Sequence, residues 1–89
     1  MLRGLPRQVS LVLSPAGKIL YVLSYGIKSA EELLKETGLS RNTLYYHLKD
    51  LINLGYVIKV GKGKYAITGK GKETLSKIIK EFSYSISSR

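Results

Sequence analysis

Apolar residues recur along this chain in short stripes, each opened by a capping residue and closed by glycine. The clearest stripe runs through residues 40–56. Leu44, Leu48 and Leu51 follow the i, i+4, i+7 spacing of one helical face. Ser40 suits the N-cap, where its hydroxyl accepts from an orphan N–H, and Gly55 suits the left-handed position past the helix end. Asn42, Tyr45 or Tyr46, Lys49 and Asn53 fall on the opposite face. That face carries amide, phenol and ammonium groups, which can contact base edges and phosphates. Taken alone, the stretch reads as an ordinary amphipathic helix with a solvated face, and the flanks change that balance.

The flanks repeat this logic. Ser14-Pro15 predicts a helix start, with proline at the one helical position where its missing N–H costs nothing. Ile19, Leu20, Val22 and Leu23 give that helix a broad apolar stripe through Tyr25, and Gly26 ends it. Ser29 and Glu32 have capping-box spacing and open a second helix with Leu33 and Leu34 as its buried side. Thr37-Gly38-Leu39 is a tight turn before Ser40, with Leu39 plugging the corner. Residues 29–55 thus read as helix, turn, helix, the arrangement in which the second helix enters the major groove.

Residues 56–60 are β-branched and aromatic, Gly61-Lys-Gly-Lys64 is a turn, and Tyr65-Ala-Ile-Thr68 is a second strand. The hairpin places Lys62 and Lys64 on a flexible tip, where Gly61 and Gly63 let backbone approach a phosphate. Thr68 or Gly69 opens a last helix through about Ser85, with Leu75, Ile78, Ile79, Phe82 and Ile86 as one stripe at heptad-like intervals. That stripe is the expected dimer contact. Upstream, Val9, Leu11 and Leu13 mark a short extended segment or a tail that packs on a partner subunit.

Charge sharpens the reading. The chain has 89 residues, enough for one small core, and a formal charge of +9. Between residues 57 and 80 seven lysines face the single acid Glu73. This excess favours a polyanion, nucleic acid before an anionic membrane. With no cysteine and one histidine, disulfides, thiolate metal sites and metal clusters drop out. No apolar run is long enough to span a bilayer, and no convincing signal peptide opens the chain, so an intracellular, cytoplasmic and nucleoid-associated protein is expected. Gly-Lys-Gly-Lys lacks P-loop spacing. No nucleophile–base pair can be assembled, so the chain does not read as an enzyme. His47 flanks the buried stripe and reads as a packed, hydrogen-bonded histidine. Glu31, Glu32 and Glu36 read as the solvated face of one short helix.

Helix, helix-turn-helix, β-hairpin, helix is the order of a winged helix. The sequence resembles the winged helix-turn-helix transcriptional regulators of the ArsR/MarR-like type over about residues 15 to 75. The resemblance rests on Ala30-Glu-Glu-Leu-Leu-Lys-Glu-Thr-Gly-Leu-Ser40, Asn42-Thr-Leu-Tyr-Tyr-His-Leu-Lys-Asp-Leu51, Leu54-Gly-Tyr-Val-Ile58 and Tyr65-Ala-Ile-Thr-Gly-Lys-Gly71. It implies an α+β, mainly α fold: three helices, a two-stranded β wing and a C-terminal helix. The expected divisions are an N-terminal extension at 1–13, a DNA-binding winged helix at 14–69 and a dimerising helix at 70–89. Metal-sensing members use Cys, Asp and His clusters that this sequence lacks, so neither metal nor cofactor is expected.

Resemblance and helix geometry together assign residues 41–54 to the major groove and a basic wing at 60–65 to the adjacent backbone or minor groove. Arg41, Asn42, Tyr45, Tyr46 and Lys49 are the expected groove contacts. Asn pairs bidentately with adenine, and Arg41 meets either guanine or a phosphate. Ser29, Ser40 and Thr43 are expected phosphate contacts through hydroxyls or helix N-terminal N–H groups, Lys28 an additional one, and Lys62 and Lys64 the wing's. The leading expectation is a homodimeric, sequence-specific regulator of double-stranded DNA. A non-specific nucleoid-type nucleic-acid binder and a winged-helix module for protein interaction within a larger assembly are the alternatives.

Overall fold

The computed structural model describes residues 14–87, with side chains described through residue 80. The extended segment expected near residues 5–13 and the side chains of Phe82 and Ile86 lie outside that range.

Helix α1, Pro15–Leu23, starts as its caps require. Ser14 Oγ accepts the Gly17 N–H at 3.2 Å, and Pro15 follows it. The helix stops at Leu23, short of the expected Tyr25. The N–H groups of Tyr25 and Gly26 bond three residues back, to Val22 and Leu23, and Gly26 takes a φ of 138°. Ile19, Leu20, Val22 and Leu23 are all buried, and α1 packs against every other helix and against the sheet. Burial of each such side chain contributes about 1.5–3 kcal/mol before entropy is counted.

Helix α2, Ala30–Thr37, has the expected capping box. The Ser29 hydroxyl accepts from the Glu32 N–H while the Glu32 carboxylate accepts from the Ser29 N–H. An N-cap residue is extended, and here that extension makes a strand. Lys28–Ser29, labelled β1, pairs antiparallel with the hairpin. Gly38 closes α2 in the left-handed conformation, φ 75°. Buried Thr37 is satisfied: its hydroxyl donates to the Leu33 carbonyl at 2.6 Å and accepts from the Leu39 N–H at 3.2 Å.

Helix α3, Arg41–Asn53, buries Leu44, Leu48 and Leu51, as the spacing predicts. Its end is a Schellman closure. The Tyr56 N–H bonds the Leu51 carbonyl, the Gly55 N–H bonds that of Ile52, and Gly55 has φ 84°. Strands β2, Val57–Lys59, and β3, Lys64–Ile67, follow. Val57 lies opposite Ile67 and Lys59 opposite Tyr65. The sheet order is β1-β3-β2, so the expected two-stranded wing becomes three-stranded. Gly61 and Gly63 serve the turn itself, with φ of 74° and 67°. The Gly63 carbonyl accepts the Ala30 N–H at 3.3 Å, so the tip is tied to the start of α2.

Helix α4, Gly69–Ser87, is fastened to the end of α3. Thr68 Oγ1 donates to the Gly55 carbonyl at 2.7 Å and accepts the Gly71 N–H at 3.0 Å. Lys70 reaches the Leu54 carbonyl at 3.1 Å and lies 5.4 Å from the centre of the Tyr56 ring. Gly71 is buried at this junction. A methyl group there would collide with the Tyr56 carbonyl oxygen and sit 2.7 Å from Ile67 Cγ1. Gly69, two residues earlier, has open space around it. Gly71→Ala is expected to destabilise the fold by about 1–3 kcal/mol or more, the cost of overpacking, whereas Gly69→Ala is expected to be neutral or mildly stabilising. Thermal unfolding of the two variants side by side checks this. Equal midpoints would contradict the tight junction.

Candidate nucleic-acid interface

Burying Leu44, Leu48 and Leu51 turns the rest of α3 outward. Arg41, Asn42, Tyr45, Tyr46, Lys49 and Asn53 are all exposed. The adjacent tyrosines differ: Tyr46 is 73 % exposed and Tyr45 43 %. Tyr46 stands clear, its ring meeting His47 edge-on at 5.0 Å, while Tyr45 leans towards the sheet. No acid occupies the first turn of α3. The positive end of its dipole is therefore uncompensated by any acid of its own first turn, a condition that favours an anion. The Ser40 hydroxyl accepts from the Thr43 N–H and donates to Thr43 Oγ1 at 2.8 Å, so this pair caps the helix while Thr43 keeps its hydroxyl proton.

Between α3 and the sheet runs an open groove of about 230 Å³, with Leu48, Ile52 and Tyr65 as its apolar lining and Lys49, Asn53 and Lys59 beside them. Lys59 was not singled out from the sequence. Its placement follows from strand pairing, because register with Tyr65 brings β2 alongside α3. Burial, and secondarily the neighbouring Tyr45, raise the Tyr65 phenol pKa above its ordinary value, so this phenol stays protonated as a donor.

The start of α2 is electrostatically unlike the start of α3. Glu31 and Glu32 both lie in its first turn. The Glu32 pKa is lowered, chiefly by the Ser29 N–H, and further by the Ser29 hydroxyl and by Lys28 and Lys64. The Ser29 N–H is thus engaged within the protein, and carboxylates flank the place where a phosphate was expected. Lys28 is also committed. Its ammonium lies 3.3 Å from Glu36 Oε2, with only 17 % of the lysine side chain exposed. Glu36 is correspondingly half-buried rather than solvated, and its Oε1 is buried without a hydrogen-bond partner. Arg41 remains exposed but its guanidinium lies 3.1 Å from Glu31 Oε2.

On the hairpin, Lys62 and Lys64 are both exposed. Lys64 sits opposite Ser29, close enough to Glu32 to act on its carboxylate. Lys62 lies at the tip between two glycines and is not among the cations that act on Glu32. His47 is half-buried, and its described contact is aromatic rather than a hydrogen bond. On α4, Leu75 is 5 % exposed and belongs to the core of its own chain, Ile79 packs against that core, and Ile78 is half-buried.

A helix-turn-helix followed by a short three-stranded wing, with a polar outer face on its second helix and lysines on the hairpin, is the arrangement of a winged helix-turn-helix domain. Residues 17–59 match the family described as bacterial regulatory protein, arsR family. That stretch holds most of α1, both helices of the motif and the first hairpin strand. No curated protein matches the chain. No helix among the described residues is long and apolar enough to cross a membrane.

The Lys28–Glu36 pair can be tested by stability. Lys28→Ala leaves a largely covered carboxylate without its cation and is expected to cost about 1–3 kcal/mol in denaturant unfolding. A second change, Glu36→Gln, is expected to restore part of that loss. A fully stable Lys28→Ala protein would show that the ammonium is held only loosely.

Proposed function

We infer that the protein binds double-stranded DNA sequence-specifically as a homodimer and thereby regulates transcription. The observation that carries this reading is the outer face of α3. Asn42, Tyr45, Tyr46 and Lys49 project from a helix held rigid by three buried leucines, beside a hairpin bearing Lys62 and Lys64. In the proposed complex residues 41–54 enter the major groove. Asn42 and Arg41 meet base edges or the phosphates at the groove lip, and Tyr45 and Tyr46 reach phosphates, sugars and thymine methyl groups. The α3 N-terminus, with Ser40 and Thr43, receives a phosphate. The wing, residues 60–65, lies on the adjacent backbone or minor groove. Lys59 and Lys49 line the groove between helix and sheet and extend the same positive surface.

Lys28 and Ser29 take a smaller part than the sequence suggested, because both are engaged inside the protein. The proposed dimer contact is likewise narrower. Leu75 and Ile79 serve their own core, which leaves the α4 stripe through Ile78, continued in sequence by Phe82 and Ile86, to meet a second copy. Two such protomers would read half-sites about one helical turn apart.

Sequencing genomic fragments captured across a salt titration tests the whole reading. An enriched, roughly palindromic site that survives physiological salt is the expected result. Replacing Arg41, Asn42 and Lys49 together by alanine is expected to abolish that enrichment with the circular dichroism spectrum unchanged. Removing both Lys62 and Lys64 is expected to reduce the salt slope by about 2 per protomer, about 4 for the dimer, without relaxing the motif. Binding that collapses with salt and enriches nothing would point to a non-specific binder. No binding at any salt would favour a protein-interaction module.

A further inference from the structure

The Glu31–Arg41 pair joins the first turns of the two helices of the motif. Arg41 is the only cation in the first turn of α3, and it is 57 % exposed on its side chain, so nothing but Glu31 holds it among the described residues. Glu31 is freer still, at 75 %, and among the described residues its one hydrogen bond is Arg41's. Its partner in the turn, Glu32, is fully occupied by the capping box. Glu31 therefore has no part in closing α2, although it sits where its charge favours that helix's positive end. Its one specific contact is with a side chain on the DNA-facing side of α3.

We propose that Glu31 is a determinant of DNA recognition by competition: its carboxylate occupies the Arg41 guanidinium in the free protein and must give it up when Arg41 meets an acceptor on DNA. This rests on the DNA-binding reading above. The chemistry is an exchange of one charge-assisted acceptor for another. The loss of the carboxylate is best compensated by acceptors that match the guanidinium's planar fork, such as a phosphate or the O6 and N7 of guanine. A contact in which Arg41 is poorly aligned compensates that loss less. Once displaced, the carboxylate also repels the phosphates beside it. Both effects weaken binding, but only the first depends on Arg41.

That difference makes the test a double-mutant cycle. Dissociation constants are measured for wild type, Glu31→Gln, Arg41→Ala and the double variant on one duplex of about 30 base pairs, long enough for two half-sites. Thermal unfolding confirms that all four are folded, as expected for two exposed residues. Loss of an exposed ion pair corresponds to about a 2- to 5-fold change. Glu31→Gln is therefore expected to tighten binding by that factor more in the wild-type background than in Arg41→Ala. Equal gains in both backgrounds would overturn the proposal and leave Glu31 as a through-space repulsion. A smaller gain, or a loss, in the wild-type background would overturn it in the other direction, because Glu31 would then be holding Arg41 in place in the complex. Wild-type protein that binds no duplex at any salt would overturn the DNA-binding reading itself, an outcome separate from the other two.

Discussion

Burial of α1 is the constraint on which everything else in this fold rests. Ile19, Leu20, Val22 and Leu23 are almost wholly excluded from water, and only the face bearing Lys18 and Tyr21 is partly open to it. A helix buried on most sides must be covered on most sides, and here α2, α3, α4 and β3 supply the cover. Each covering element then has one face committed to α1. Leu33 on α2, Leu44 and Leu48 on α3, and Leu75 on α4 are the other half of the same cluster. The orientation of α3 follows from this. With three leucines turned inward, Asn42, Tyr46 and Lys49 have only solvent, or a ligand, to face.

The second organising element is the junction at the end of α3. Gly55 reverses the chain, Thr68 ties that reversal to the start of α4, Lys70 covers the last carbonyls, and Gly71 leaves room for the Tyr56 backbone. The hairpin departs from and returns to this point. Its other end is held by β1 and by the hydrogen bond between Ala30 and Gly63. A wing clamped at both ends presents its lysines in a fixed relation to α3, an arrangement with little left to order on binding a rigid partner.

Charge is distributed unevenly over the two helix starts of the motif. α2 carries two glutamates in its first turn and α3 carries none, so the anion-favouring site belongs to α3 alone. The overall +9 conceals this local contrast. It also conceals that Lys28 is neutralised by Glu36, and that Lys64 shares its field with Glu32. The positive surface offered outward is smaller than the composition suggests, and it is spread over α3, the hairpin and α4, where Lys70, Lys72, Lys77 and Lys80 are exposed.

What could be read in the sequence was whatever depends on neighbours along the chain. Caps, the αL glycines and the leucine stripe act over at most one or two helical turns, and so Ser14, Ser29, Ser40, Gly38 and Gly55 announced their structures directly. The exposed face of α3 followed from the same periodicity. Pairings between distant segments were not legible. The strand at Lys28–Ser29 is two residues long and carries no alternation; it exists because β3 lies beside it. The Lys28–Glu36 and Glu31–Arg41 pairs, the groove beside Lys59, and the commitment of Leu75 to its own core are set by how helices cross and strands register. A sequence determines which faces must be buried. Only the packed chain determines which charge meets which, because that depends on distances between elements that no local rule contains.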